Sequence, residues 1–390
     1  MRAAMFYEPG DVRMENVPAP KPGPGEVLVR IGAALTCGTD VKTYKRGHPT
    51  LIKVIPSPFG HEFGGTIEEV GEGVEDWRPG TRVVAANSAP CNRCYYCKVG
   101  DQSMCEDLAF LNGAFAEYIV VPPRIVDQNL YEIPEGMEFS RAALLEPLAC
   151  AVHGVVRTPI SVGDTVAVIG AGQIGLMFVR LATERGARVI CADKSASRLA
   201  VARQLGAEET VQAAEGLDTI EAVRGWTPEG RGADRVIEAV GLPDLWEQAL
   251  QMVRKGGDVT LFGGAPSGTS FEIDTVLLHY SQITIRGIFH HTPYTVQVAF
   301  DLLKSGRVDA EPFISGVRPL EDVVEALEQH GRQEGIKYEI RPPAGGRLEA
   351  PRPAGGGGPG RQAAYRFGSR YGDLGQRQRP YPRRRHTRDP

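Results

Sequence analysis

The chain has no run of about 18 apolar residues, so no segment reads as a membrane-spanning helix. Its first residues, MRAAMFYEPGDVRMENVP, lack an apolar core behind a basic start, so they do not read as a secretory signal and the cytoplasm is the expected compartment. Charge of one sign is also scarce. With 44 basic and 48 acidic residues the net charge is −4, which gives no argument for a polyanionic partner. Cysteine is sparse, seven in 390 residues, and in a reducing compartment clustered thiols hold metal more often than they form disulfides. What is abundant is glycine, 47 residues, as expected of a fold with many tight turns.

A single core stops growing at roughly 250–300 residues, so this length implies two or three domains. Up to about residue 150 the chain reads as short strands (VLVRIGAAL, GGTIEEVG, RVVAAN, FAEYIVVP) punctuated by Gly and Pro. From about residue 160, DTVAVIGAGQIGLMFVRLATERGARVICADKSASRLAVARQLGA alternates strand and helix, the pattern of βαβ units on a parallel sheet. The stretch TVQVAFDLLKSG, then LEDVVEALEQHG and IKYEIRP, ends near Pro342. Residues 344–390 differ again: eleven arginines against three acidic residues leave this tail near +8 and the preceding body near −12. With almost no aliphatic residues, the tail is expected to be disordered, and any nucleic-acid binding by it to be nonspecific.

Four of the seven cysteines, Cys91, Cys94, Cys97 and Cys105, fall within CNRCYYCKVGDQSMC at spacing C-x2-C-x2-C-x7-C. Two-residue gaps let a tight loop wrap four thiolates around a tetrahedral zinc; an iron–sulfur cluster takes similar ligands. A closed four-thiolate site has no open position, so its role is to hold a loop. A second set of donors is dispersed: Cys37 in LTCGTDVKTY, His61 and Glu62 in PFGHEFGG, and Glu146 in ALLEPLACAVHG. Cys, His and Glu suit a zinc that keeps a coordination position for substrate, although a lone Cys also serves as a small core residue and a His between glycines as a turn cap.

VAVIGAGQIGL sets Gly170, Gly172 and Gly175 after an apolar strand and at the opening of a helix. The first glycine permits the turn, the second lets backbone approach a pyrophosphate, and the third lets helix and strand pack closely. Asp193, 18 residues beyond Gly175, ends the next strand, where a carboxylate accepts from a ribose hydroxyl and repels a 2′-phosphate. NAD is therefore expected over NADP, with Lys194 and Arg198 close enough to soften the preference.

Together CGTD, GHEFGGTIEEVGEGV, the four-cysteine lobe, LLEPLACAVHG, GAGQIG and the FGG turn resemble the medium-chain zinc-dependent alcohol dehydrogenases, in the sorbitol and threonine dehydrogenase branch. The resemblance covers residues 1 to about 342 and implies an α/β protein. A GroES-like, β-rich catalytic domain (1–152, completed by 290–343) would carry an inserted Rossmann domain with a doubly wound parallel sheet (153–289), ahead of the disordered tail. It implies two zinc ions per chain and NAD. Cys37, His61, Glu62 and Glu146 would ligate or approach the catalytic ion, and Cys91, Cys94, Cys97 and Cys105 the structural one. Gly170, Gly172, Ile174, Gly175, Asp193 and Arg198 would contact the cofactor, with Phe262, Gly263, Gly264, Ile288 and Phe289 at the nicotinamide half. Thr39 would take the alcohol proton. A homotetramer acting on a small alcohol or polyol is expected, with FEIDTVLLHYSQITIRGIF offering an interface strand.

Two positions depart from that branch. Lys42 stands where many relatives place a relay histidine, and could serve if burial or nearby positive charge lowered its pKa. His290 and His291 stand where sorbitol dehydrogenases carry an Arg-Tyr pair; Tyr44, Phe110 and Phe115 complete the expected pocket. Two rivals are a zinc-independent NADPH quinone or enoyl reductase, which lacks these ligands, and a zinc-ribbon nucleic-acid-binding protein, which leaves the glycine loop and the acidic body unexplained.

Overall fold

The computed structural model describes residues 1–48 and 51–343; the tail expected to be disordered lies outside the described residues. Two main sheets organise it. The first, seven strands, runs in the order Leu130–Glu132, Arg82–Ala85, Glu62–Val70, Val27–Leu35, Lys337–Arg341, Ile314–Pro319, with Tyr118–Val121 also paired to Val27–Leu35. The chain's last described strand thus closes onto its first half: Leu35 lies opposite Glu339 on one side and opposite Glu62 on the other. This register matters for function. The ends of three neighbouring strands bring Cys37, His61–Glu62 and Lys337 to one place from positions up to 300 residues apart.

The second sheet is wholly parallel, in the order Glu209–Gln212, Arg188–Asp193, Thr165–Ile169, Ala233–Glu238, Val253–Leu261, Thr284–Gly287. Numbered along the chain this is 3-2-1-4-5-6, a doubly wound topology whose order reverses beside Thr165–Ile169. A crevice at such a switch point, outside the carboxyl ends of the strands, is where ligands bind. The five residues of Thr165–Ile169 are all buried, as a central parallel strand covered on both faces must be.

Helix Leu145–Arg157 joins the two halves. Eleven of its thirteen residues are buried, in a core that holds Leu35 and Val84 of the first sheet together with Val166 and Val168 of the second and Phe178 of the helix Gln173–Glu184. Among the described residues, only the segment Phe139–Arg157 is long and apolar enough to cross a membrane, and it is 78% buried inside this core. A second contact between halves is Arg198, whose guanidinium donates to the Gly335 carbonyl at 2.6 Å.

Candidate active site and metal centres

Helix Gly38–Arg46 begins at Cys37, whose thiol accepts the Thr39 N–H at 3.4 Å. Asp40 returns the cap: its Oδ2 accepts the Cys37 N–H at 3.0 Å, and its Oδ1 lies 2.9 Å from His61 Nδ1. Asp40 and His61 are each about 2% exposed. A carboxylate on Nδ1 fixes the imidazole tautomer and leaves Nε2 free to act as a ligand. Burial opposes a charged His61, yet the Asp40 charge and hydrogen bond hold its pKa well above the ordinary value. At Cys37 burial pushes the thiol up, but the His61 hydrogen bond and the charges of His61 and Lys337 outweigh it and bring the thiol to about 7.

The donor atoms of Cys37, His61 and Glu62 lie within 4.8 Å of one another, all buried. Glu62 Oε1 has no hydrogen-bond partner, and Oε2 meets only the Lys337 ammonium at 2.5 Å as an ion pair outside hydrogen-bonding geometry. Burial raises the Glu62 carboxyl well above its usual range, with Lys337 opposing. A buried carboxylate oxygen without a donor is costly, and a divalent cation would satisfy it. The thiol, imidazole and carboxylate therefore fit a zinc. Glu146 enters from the first turn of helix Leu145–Arg157, 6% exposed, with its carboxyl raised by burial. Its oxygen, Cys150 Sγ and a ring nitrogen of His290 also fall within 4.8 Å of one another.

The four-cysteine lobe stands apart. All four Sγ atoms lie within 4.8 Å of one another, with Cys94 to Cys97 at 3.5 Å and Cys94 to Cys105 at 4.0 Å. Four sulfurs about 2.3 Å from a tetrahedral zinc are about 3.8 Å apart, so these separations suit the ion. No cysteine is in a disulfide. Backbone N–H groups of Cys91 and Cys94 donate to Cys105 and Cys91 sulfurs at 3.2 and 3.3 Å, which favours thiolates. Backbone hydrogen bonds bring Cys94 to about 6, while burial and the neighbouring sulfurs of Cys94 and Cys105 push Cys97 up to about 12. Tyr95 and Val99 are exposed, 68% and 54%, so the lobe is a surface knuckle.

The glycine loop leads from Thr165–Ile169 into helix Gln173–Glu184. Gly170 has φ +97°, and a Cβ at Gly175 would sit 1.8 Å from the Gly170 carbonyl oxygen. A Cβ on Gly172 would meet nothing within 4 Å, which is the open approach a pyrophosphate needs. Asp193 accepts from the Ala171 N–H at 2.7 Å and the Ser195 N–H at 2.8 Å. The FGG turn lies against the adjoining strand end: a Cβ on Gly263 would meet the Gly241 nitrogen at 2.2 Å, and the Phe262 ring meets Phe178 edge-on at 5.0 Å.

Comparison with known proteins agrees with this arrangement. The family described as alcohol dehydrogenase GroES-like domain matches residues 23–135, and the zinc-binding dehydrogenase family matches residues 174–305. The sorbitol dehydrogenase of Bacillus subtilis (strain 168) is 32% identical over 352 residues, 88% of this chain and 97% of its own length. The L-threonine 3-dehydrogenase of Pyrococcus abyssi is 35% identical over 326 residues, 81% of this chain and 90% of its own. Among solved structures, a zinc-binding dehydrogenase of Sinorhizobium meliloti 1021 bound to NADP superposes with TM-score 0.81 at 31% identity, covering 87% of this chain and 99% of its own. The chain belongs to the zinc-dependent medium-chain alcohol dehydrogenases.

Within this dehydrogenase the first sheet is the GroES-like part and the parallel sheet the Rossmann part. The remaining expected residues have these surroundings. Lys42 is exposed. Arg198 is 9% exposed and donates to the Gly335 carbonyl at the junction between the halves, with Asp193 near enough for the two charges to interact. Phe115 is fully buried, tilted against Phe59 at 5.9 Å and wedged over Gly60, which makes it core and not pocket. Tyr44 points its hydroxyl to Glu328 at 3.4 Å. Ile174 packs against the shared core; Ile288 is half-buried and Phe289 is 59% exposed beyond the last parallel strand.

His290 does face the site. Its φ is +63°, its ring lies 2.5 Å from Ser88 Oγ through Nε2, and its carbonyl accepts from His153 Nδ1 at 2.9 Å. Burial brings it to about 3, so the imidazole is neutral. His291 lies behind it, 3.3 Å from Asn87 Oδ1. Three residues with site contacts were not singled out by motif: Asp40, Gln173 and Lys337. Asp40 stands inside CGTD and Gln173 inside GAGQIG, which did not mark their roles; Lys337 stands in sequence with no local mark.

Proposed function

We propose that this dehydrogenase reversibly oxidises a secondary alcohol or polyol-like substrate to the ketone, with hydride transfer to NAD, in the cytoplasm. The observation that carries the reading is one contact: Gln173, the first helical residue after the glycine loop, reaches Cys37 Sγ at 3.3 Å. The zinc-competent donors and the dinucleotide loop thus share one crevice, which is the geometry hydride transfer beside a Lewis acid needs. Neither a zinc-independent reductase nor a zinc-ribbon protein accounts for that adjacency.

Cys37 and His61, with carboxylates Glu62 and Glu146, are the residues that would hold the catalytic zinc; Cys91, Cys94, Cys97 and Cys105 would hold the second. When bound, the catalytic ion supplies Lewis acidity that lowers the alcohol's pKa, and the nicotinamide supplies the hydride acceptor. Asp40 keeps His61 in its ligating tautomer. Thr39, two residues from Cys37, accepts the hydroxyl proton and passes it outward. With Lys42 exposed, that route need not include it. The Gly172 approach and the helix N-terminus at Gln173 receive the pyrophosphate, and Asp193 the adenosine ribose. His290, neutral and hydrogen-bonded to Ser88, lines the substrate side opposite Glu146. A mixed lining of imidazoles and Phe110, whose ring lies 5.7 Å from His290, suits a hydroxylated substrate.

We also propose a homotetramer. The edge strand Thr284–Gly287 and exposed Val276 and Tyr280, 62% and 76%, offer a surface for a second copy. The test of function is a turnover screen with NAD and NADP over polyols, threonine and secondary alcohols. Preference for NAD with one of these classes upholds the reading; activity confined to enones or quinones with NADPH overturns it.

A further inference from the structure

Gln173 is 8% exposed, and both ends of its amide are in use. Nε2 donates to Cys37 Sγ at 3.3 Å, and Oε1 accepts from Lys337 Nζ at 2.5 Å. Lys337, fully buried at the start of the last strand of the first sheet, also pairs with Glu62 Oε2 at 2.5 Å. One side chain from the nucleotide-binding helix therefore touches a zinc donor directly and a second donor through a buried ammonium. These contacts cross between the two halves of the molecule.

We infer that Gln173 is a positioning residue that registers the nucleotide loop to the catalytic metal shell. The inference rests on the reading of Cys37 as a zinc ligand. An amide is suited to the task because it offers a donor and an acceptor on one rigid plane. Its N–H fixes the orientation of the Cys37 sulfur and withdraws electron density from it, as partners behind metal ligands do. Its carbonyl, with Glu62, satisfies an ammonium that would be costly to bury unpaired. Gly172, directly before it, is where a Cβ would meet open space at the expected pyrophosphate approach. Any movement of that loop on cofactor binding is carried by Gln173 to Cys37. The zinc shell thereby senses whether the nucleotide site is filled.

The two contacts are separable. Gln173→Met keeps the length but loses both; Gln173→Glu keeps an acceptor for Lys337 but cannot donate to Cys37. Cobalt placed at the catalytic site gives a thiolate-to-metal absorption band, read as the difference from Cys37→Ser. In Gln173→Met the band should move to lower energy, and the catalytic metal should be lost to a chelator roughly 10–100-fold more readily, the range for residues behind metal ligands. Adding NAD, which should shift the wild-type band, should leave the Gln173→Met band in place. Gln173→Glu should resemble Gln173→Met in the band while retaining more of the wild-type thermal midpoint. The inference is overturned if Gln173→Met, with thermal midpoint and lobe metal retained, matches wild type in band, chelator resistance and response to NAD. If wild type and Cys37→Ser give the same spectrum, Cys37 is not a ligand and the reading beneath the inference fails.

Discussion

Asp40 Oδ1 lies 2.9 Å from His61 Nδ1, while the same carboxylate's Oδ2 caps the helix that begins at Cys37. One side chain thus orients two of the expected ligands. Asp40→Asn keeps much of the cap but presents an amide where a carboxylate held the imidazole N–H. Loss of such a partner should lower affinity for the catalytic metal by about 10–100-fold, with the four-cysteine lobe unaffected. Metal analysis after graded chelation checks this, and equal loss from both sites would contradict it.

The two glycines of the loop should separate binding from folding. At Gly175 a Cβ would meet the Gly170 oxygen at 1.8 Å, so Gly175→Ala should destabilise the protein by about 1–3 kcal/mol. At Gly172 a Cβ meets nothing, so Gly172→Ala should keep the thermal midpoint while weakening NAD binding by tenfold or more. Calorimetry and cofactor titration on both variants distinguish the outcomes; a stable Gly175→Ala with normal NAD affinity would refute the close packing.

His330 gives a pH test at a ring that is not itself an expected ligand. It lies 3.0 Å from Thr36 Oγ1, and burial together with the charges of Lys337 and Arg198 lowers it from 6.5 to about 3. The unfolded chain takes up the proton first as pH falls. Stability from the neutral ring is thus complete above the unfolded value and drains away between about 6.5 and 3. Between pH 7 and about pH 5 the wild type should lose about 1–2 kcal/mol more stability than His330→Gln. Urea unfolding at the two pH values measures it; parallel losses would show that the ring is not held neutral.

The features legible in the sequence were those whose chemistry is local. Four cysteines within fifteen residues and three glycines in a six-residue loop place their own groups, because short loops fix their geometry with little help from elsewhere. The alternation of strands and helices likewise gave the parallel sheet. Features that depend on register were hidden. Lys337 meets Glu62 because the last strand docks beside Val27–Leu35, and Gln173 meets Cys37 because the two halves pack across helix Leu145–Arg157. The same dependence misled in the other direction. Phe115 seemed pocket-lining by type, yet Gly60 leaves a notch that the ring fills as core.

The account turns on a division between two metal centres: chemistry at Cys37, His61 and their carboxylates, scaffolding at the four-cysteine lobe. The most direct measurement is zinc per chain and alcohol-dependent NAD reduction in wild type, Cys37→Ser and Cys94→Ser, with thermal midpoints alongside. The prediction is two zinc ions in wild type. Cys37→Ser should hold one, with turnover reduced roughly 100–1,000-fold, the loss expected when a positioned electrostatic catalyst is removed, and with its midpoint nearly kept. Cys94→Ser should also hold one, with a lowered midpoint and measurable turnover below it. Equal loss of fold in both variants, or full turnover in Cys37→Ser, would contradict the division.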